Sequence, residues 1–538
     1  MMRPPSRPST QVRTSALALT LLCVGSMSFA QEAPRGLCGT ADVDIAITRD
    51  NIAAAEAFAK TPGVSAARGA ITYVPVRFKV VGNSDGTGEA SARKIVDLVE
   101  AINRDFAPYN WRFFLEDVDG RPFDNYFSDD YNGGLSDDAR WVERVRSRGA
   151  ISMYVVDNAS TGGTSVGVTL GYYSPSQDIL VLQTGEVGNN AETATHELGH
   201  YFSLPHTFRG WDFVSWDGGV CSDTAYSSPV TELRAPASFR TGRPLVELVT
   251  RGDGANCAEA GDLFCDTGAD YNLGLGARGC DYRGPVVDRN GDVLRPNEEN
   301  FMSYFQDCAS YEFSVQQFET MSADLRSARR DFLRSGRPPI NVDSVRARAV
   351  VTSPANNAVT EFGDVATISW EPVEHALYYY VEVNEARTLG DRTAVTQTIV
   401  GDGQTSLTVD GLEPGRRYYV RVSGFNQLTV GLPSARIQFN TGTVSAADVP
   451  QAVAGLSVAP NPAFPGAEVY ATFSTDDAGD YDLDIVDAVG RTVSRETARL
   501  SPGSTRLPLD GAAGLTSGTY FLRVRSDRGV TTRRFVIR

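Results

Sequence analysis

Three of the chain's four histidines lie close together, in the stretch His196-Glu197-Leu198-Gly199-His200-Tyr201-Phe202-Ser203-Leu204-Pro205-His206-Thr207-Phe208. Histidines four apart on a helix project from one face, so His196 and His200 reach a single metal ion. Glu197 stands beside the first ligand in a different sector, placed to hold a water rather than the metal. A turn after His200 must bring His206 back as a third ligand. Three nitrogen donors leave one tetrahedral position of Zn²⁺ open, the arrangement of a catalytic site and not of a structural one. His-Glu-x-x-His alone also occurs on helices that bind nothing; the third histidine at this spacing makes the cluster specific. The fourth, His375, lies far downstream and reads as a loop residue.

Ser203 stands where the extended pattern H-E-x-x-H-x-x-G-x-x-H has glycine. The turn there favours a left-handed backbone, and serine in it costs roughly 1 kcal/mol. No ligand is lost by the exchange.

The elements that position these residues follow from periodicity. Tyr73–Val81, Trp111–Leu115, Ile151–Val156, Gly167–Tyr173 and Ile179–Gln183 read as strands. Ile95, Leu98, Val99, Ile102 and Phe106 recur at helical spacing, which predicts a helix over Ala90–Ala107 ended by Pro108. Ala191–Phe202 is the helix carrying the first two ligands, and Gln316–Leu333 closes the unit. Residues 116–145 are acidic and read as a surface insertion. The order implies an α/β layer with a mostly parallel twisted sheet plus the active-site helix. Gly167–Tyr173 is placed as an edge strand on which an extended peptide pairs.

A chain of 538 residues with net charge −16 is too long for one core and too acidic for nucleic-acid or anionic-membrane partners. Residues 1–30 read as a secretory signal: Arg3, Arg7 and Arg13, an apolar Ala16–Met27, then Ser28-Phe29-Ala30. No later stretch reaches a membrane-spanning length. Export permits disulfides. Beyond the signal stand Cys38, Cys221, Cys257, Cys265, Cys280 and Cys308, whose pairing the sequence leaves open.

Residues 31–68 read as a pro-segment, with a helix in Ala41–Ala59 that has no obvious core to serve. A Cys38 thiolate there would take the open zinc position and keep the site latent; a disulfide, for instance to Cys221, is the equal alternative. Residues 209–300 are rich in Gly, Asp and Pro and need staples. Asp262, Asp266, Thr267 and Asp270 offer clustered oxygens for Ca²⁺, whereas Asp288–Asp292 reads as a solvated turn.

The zinc motif, Asp266-Thr267, the Met302-containing turn in Asn300-Phe301-Met302-Ser303-Tyr304 and the cysteine pattern together resemble the pappalysin family of metzincin endopeptidases. The resemblance covers roughly residues 70–330, within a catalytic unit placed at 69–337. It implies that Met302 floors the imidazoles, that the Tyr304 hydroxyl stabilises an oxyanion, and that Asp307 shapes a primed-side pocket for Arg or Lys. It also implies proenzymes with an N-terminal cysteine switch, which favours that role for Cys38. The chain departs from the family at Gly268, where proline is usual, and at Asp307, which abuts Cys308.

Residues 346–443 carry short alternating strands, and Trp370, Pro372 and Leu412-Glu413-Pro414-Gly415 before Tyr418 resemble a fibronectin type III domain. Residues 450–538 resemble the C-terminal sorting domain of the type IX secretion pathway, through Val458-Ala459-Pro460-Asn461-Pro462, Ile485–Arg491 and Gly518–Val524. The expectation is a multidomain chain: an α/β metzincin-like unit, then two all-β sandwiches. That second resemblance implies type IX secretion machinery as a partner and release or anchoring outside the outer membrane. The expected function is zinc-dependent hydrolysis of peptide bonds in extracellular proteins, with Glu197 as general base. The competing expectation is a non-enzymatic surface adhesin with a vestigial metal site.

Overall fold

The computed structural model describes residues 37–537 apart from short stretches, the longest being 62–69, 160–168, 215–229 and 444–451. The expected signal, Arg35-Gly36 and Cys221 lie outside the described residues.

The N-terminal unit is an α/β layer. Its elements are β1 (Leu37–Cys38), α1 (Ile45–Ala59), β2 (Thr72–Gly82), α2 (Ala92–Asp105), β3 (Trp111–Leu115), β4 (Phe123–Phe127), α3 (Ala139–Val145), β5 (Ile151–Val156), β6 (Thr169–Ser174), β7 (Ile179–Gln183), α4 (Glu192–Tyr201), α5 (Val315–Arg326) and α6 (Asp331–Arg334). The sheet runs β1-β6-β7-β5-β2-β3, with β4 also pairing β2. Every pairing is parallel except β6 with β7. The central strands are buried along nearly their whole length, as a parallel sheet covered on both faces requires. Helix α2 buries Ile95, Leu98 and Ile102 against it, and Phe106 stacks on Trp111.

Three expectations need revision. Residues 116–145 are not a featureless insertion: they hold β4 and α3. On β4, Asp124 accepts hydrogen bonds from the buried Arg77 and Lys79 of β2. The closing helix breaks at Ser327, whose ψ of 160° is extended, and resumes as α6. Helix α1 does have a surface to serve, since it packs along α5, where the Arg326 guanidinium lies over the Phe58 ring.

Residues 209–300 fold without a regular helix or strand among the described residues. Phe208, Trp211, Val230, Tyr271 and Leu294 form their small core. Two disulfides, Cys257–Cys265 and Cys280–Cys308, supply the staples.

A three-stranded sheet (Val351–Ser353, Val365–Trp370, Ser406–Asp410) faces a five-stranded one built on Tyr378–Asn384 and Arg417–Phe425. Tyr378, Tyr380 and Phe425 of this sandwich join the core of the N-terminal unit. Leu115 N–H donates to Gln427 O, and Gln427 Nε2 donates to Leu115 O, each at 2.8 Å. The last unit pairs a three-stranded with a four-stranded antiparallel sheet, around Phe473, Leu483, Leu522 and Phe535.

Candidate metal centre

Helix α4 presents His196 and His200 from one buried face, as their spacing requires. Gly199 between them is a packing necessity. A Cβ there would lie 2.3 Å from Met302 Sδ and 3.2 Å from Phe313 Cε1. Met302 is therefore directly under the helix, fully buried, and its carbonyl accepts from Thr207 N–H just past the third histidine.

After Tyr201 the chain turns through Ser203, whose φ is +67°. The serine compensates for its strained backbone by bonding: its Oγ donates to Phe202 O at 2.7 Å and accepts from Asn51 Nδ2 at 2.8 Å, while its carbonyl accepts from Thr48 Oγ1. Asn51 and Thr48 belong to α1, so the turn between the ligands is also where the N-terminal segment is held.

The three Nε2 atoms converge, at 3.1 Å (His200–His196), 3.0 Å (His200–His206) and 3.3 Å (His196–His206). Each Nδ1 faces a pure acceptor: Phe301 O at 2.6 Å, Leu204 O at 2.8 Å, and Asp212 Oδ1 at 2.8 Å. Nδ1 must carry the proton in all three rings, so three Nε2 lone pairs point at one another with no hydrogen between them. A cation relieves that repulsion. Nitrogens 2.0–2.1 Å from a tetrahedral Zn²⁺ lie roughly 3.3 Å apart, so the donor set fits the metal. Burial, with the neighbouring His206, pushes the His196 imidazolium down to about 3 and that of His200 well below its ordinary value, so both rings stay neutral.

Among the described residues Cys38 is a free buried thiol, while Cys221, the partner of the disulfide alternative, lies outside them. Its Sγ and one nitrogen of each histidine all lie within 4.8 Å of one another. Burial, then Glu197, raises the Cys38 thiol well above its usual range. Thr40 N–H donates to Sγ at 3.3 Å, and Thr40 Oγ1 donates to Glu197 Oε2 at 2.8 Å. Glu197 is fully buried, and its Oε1 has no hydrogen-bond partner among the described residues. Burial pushes its carboxyl up to about 7, against the opposing bonds from Cys38 and Thr40.

The segment arrives by strand pairing. β1 lies parallel to β6, on the edge where the sequence suggests an extended peptide would pair. Tyr304 reaches it as well, donating to Cys38 O at 3.4 Å, and packs against His206 and Phe208.

A small cavity of about 60 Å³ reaches His196 and Cys38 and is otherwise lined by Leu170, Glu192, Thr193, Glu197, Phe301 and Ser303–Gln306. Its outlying carboxylate is Glu192, a residue the sequence reading passed over. Asp307 is not in that lining; it acts on Glu192, whose carboxyl is raised by burial and then by Asp307, against a bond from Tyr311.

The calcium expectation divides. Asp266 caps α5, accepting from Ser314 Oγ and Gln316 N–H. Asp262 and Thr267 are bonded to each other and buried, while Asp270 holds Thr207. Glu247 adds an unanticipated carboxylate: its Oε1 accepts from Arg251, and its Oε2 is buried against Gly261 without a hydrogen-bond partner among the described residues. Asp288 accepts from the backbone N–H of Asn290 and Asp292 in a turn whose tip is exposed, although Asp288 itself is buried and not solvated as expected.

Asp212, Thr40, Glu192 and Glu247 were missed. Glu192 stands four residues before His196 and eight before His200 on the same helix, so its place beside them was legible, whereas Asp212, Thr40 and Glu247 share no period with the histidines, and a lone acid or threonine in a loop has no sequence signature. Of those three, only Thr40, two residues past Cys38, could have been suspected from proximity.

Residues 353–440 match the fibronectin type III domain family, and residues 457–538 match the secretion system C-terminal sorting domain family. The chain thus carries both domains, and the second marks it for export across the outer membrane, into the medium or onto the cell surface. A relative in Verticillium alfalfae described as an extracellular metalloprotease is 28% identical over 240 residues, covering 40% of this chain and 77% of that protein. Among solved structures, chicken CNTN1 FN1–FN3 domains align with 14% identity over 36% of this chain and 68% of theirs, at a TM-score of 0.16. The CbhA fibronectin(III)-like modules of Clostridium thermocellum align with 16% identity over 35% of this chain and 92% of theirs, at a TM-score of 0.14. No described helix is long and apolar enough to cross a membrane.

Proposed function

We propose that the chain is an exported zinc endopeptidase of pappalysin type, held latent by its own N-terminal segment. The observation that carries this reading is the trio of bare Nε2 atoms 3.0–3.3 Å apart beside a buried carboxylate. The relative's description as an extracellular metalloprotease supports it. No comparable observation favours an adhesin.

His196, His200 and His206 would hold the ion, and Zn²⁺ there supplies Lewis acidity toward water and the scissile carbonyl. Glu197 then has one task. With its proton affinity raised by burial, it accepts a proton from the attacking water and returns it to the leaving amine. In the latent chain the Thr40 hydroxyl takes the place of that water on Oε2, and Cys38 takes the open ligand position. Tyr304, now on Cys38 O, is in reach of the carbonyl of a peptide that replaces β1 on the β6 edge, and donates to the developing oxyanion. Glu192 and Asp307 favour a basic side chain in the adjoining cavity. Among the described residues only Cys38 and the three histidines bring three or more His, Cys, Asp or Glu donors to one point, so no calcium centre is proposed at Asp262, Asp270 and Glu247.

The test compares Glu197→Gln with the parent, both freed of the segment before Thr72. Zinc content should be equal, and casein hydrolysis should fall by roughly 10²–10⁴-fold. Undiminished hydrolysis in the variant would remove Glu197 as the base, and a parent that binds no zinc would remove the whole reading.

A further inference from the structure

Latency hides a guanidinium that the departing segment would leave alone. Arg209, three residues past the third histidine, is 6% exposed. Its Nε donates to Asp42 Oδ1 at 2.9 Å and its Nη2 to Asp42 Oδ2 at 2.6 Å, a bidentate pair. The guanidinium also lies 5.0 Å from the centre of the Phe239 ring. Asp42 belongs to the N-terminal segment, whereas Arg209 belongs to the metal-binding loop.

We infer that Arg209 is the anion-recognising wall of a substrate subsite, which Asp42 fills in the latent chain as an acidic substrate side chain would. The processed protein then selects peptides with Asp or Glu a few residues from the cleaved bond. That residue lies on the flank away from the cavity of Leu170 and Glu192. The inference rests on the peptidase reading and on loss of the segment before Thr72.

Two observations carry it. First, the segment follows the path of a bound peptide. Leu37 pairs with Thr169 and Cys38 with Gly171; Gly39 N–H then donates to Gly171 O, and Tyr173 N–H donates to Thr40 Oγ1. The segment therefore moves along β6 away from Leu170, crosses the metal ligands at Cys38, and reaches Arg209 four residues on, within about 13 Å of chain. A peptide on the same edge passes the same point. Second, the pair is built unlike the permanent ion pairs of this unit. Buried Arg330 takes both its carboxylates, Asp178 and Asp324, from the catalytic unit itself. Arg209 takes its carboxylate from the segment that leaves. The processed cleft therefore presents a fixed bidentate donor to any ligand that returns a carboxylate.

The experiment uses the full-length chain freed of residues before Thr72 by limited proteolysis and checked by mass. Matched peptides carry Asp or Asn at each position around one cleaved bond. The expected kcat/KM ratio, Asp over Asn, is about tenfold or more at one position on the stated flank. Arg209→Gln should bring that ratio close to one, and Arg209→Lys should retain part of it. A ratio near one at every position, or a preference that survives in Arg209→Gln, overturns the inference while leaving the peptidase reading intact. If neither member of any pair is cleaved by the zinc-loaded parent, the peptidase reading falls and takes the inference with it. Should Arg209→Gln fail to fold, the parent's ratios and those of Arg209→Lys decide.

Discussion

Replacing Asp212 with alanine removes the group that orients the third histidine. One carboxylate oxygen accepts from His206 Nδ1 at 2.8 Å and the other from Gly210 N–H at 2.9 Å. Both contacts are buried, so no water takes over either donor at once. Loss of such a partner to a metal-binding histidine weakens metal affinity by about 10–100-fold, or about 1.4–2.8 kcal/mol. The stack of His206 on Phe208, with centroids 4.6 Å apart and planes 13° apart, keeps the ring from swinging out and bounds the loss at the upper figure. The uncovered Nδ1–H and Gly210 N–H each cost about 1–3 kcal/mol of fold stability if left unpaired. Asp212→Asn keeps the shape and offers a carbonyl oxygen to Nδ1–H, so it should lose no more than about tenfold in affinity. The assay is zinc competition against a chelator of known affinity on the full-length chain, with circular dichroism as the control for folding. If Asp212→Ala binds zinc within about twofold of the parent while remaining folded, the carboxylate does not orient His206 and the reasoning is wrong.

Gly199→Ala sets a Cβ against Met302 Sδ, and overpacking of about 1–3 kcal/mol should outweigh the gain of up to about 1 kcal/mol in helix propensity. Adding Met302→Ala should relieve the clash, so the double variant loses less in denaturant melts than the two singles combined; strict additivity would mean that the methionine is not the floor. The Glu247 and Asp262 carboxyls are both held above their usual range, chiefly by burial, and Glu247 also by Asp262. Each binds its proton more tightly folded than unfolded, so its stabilising contribution is complete below the unfolded pKa of about 4 and drains away as pH rises. With zinc held constant, the chain should melt lower at pH 8 than at pH 5. An equal or higher melting temperature at pH 8 would mean that these buried carboxyls do not hold their protons.

The three clustered histidines, the helix carrying two of them, the largely parallel sheet and the two β-rich C-terminal units were legible because each rests on a local regularity. His196 and His200 share a helix face through a 3.6-residue period, and the strands announce themselves as apolar runs. Helix α1 was visible as a helix while its purpose was not, since the surface it covers is made by α5, far along the chain. The resemblance points to Asp307 for a pocket, while the small cavity beside the histidines is lined by Glu192, on which Asp307 acts, because that lining depends on how α4 faces the turn after Met302.

By itself, then, the amino-acid order determined which atoms are available for metal chemistry and which helix carries two of them, since neighbours on a helix need no long-range contact to meet. Tertiary structure alone decided what each of those atoms faces. Thr40 meets Glu197 across 157 residues, and Asp42 meets Arg209 across 167. Asp212 finds His206 through an irregular turn. Such contacts are set by packing of distant segments around a shared core, and no period in the chain encodes them.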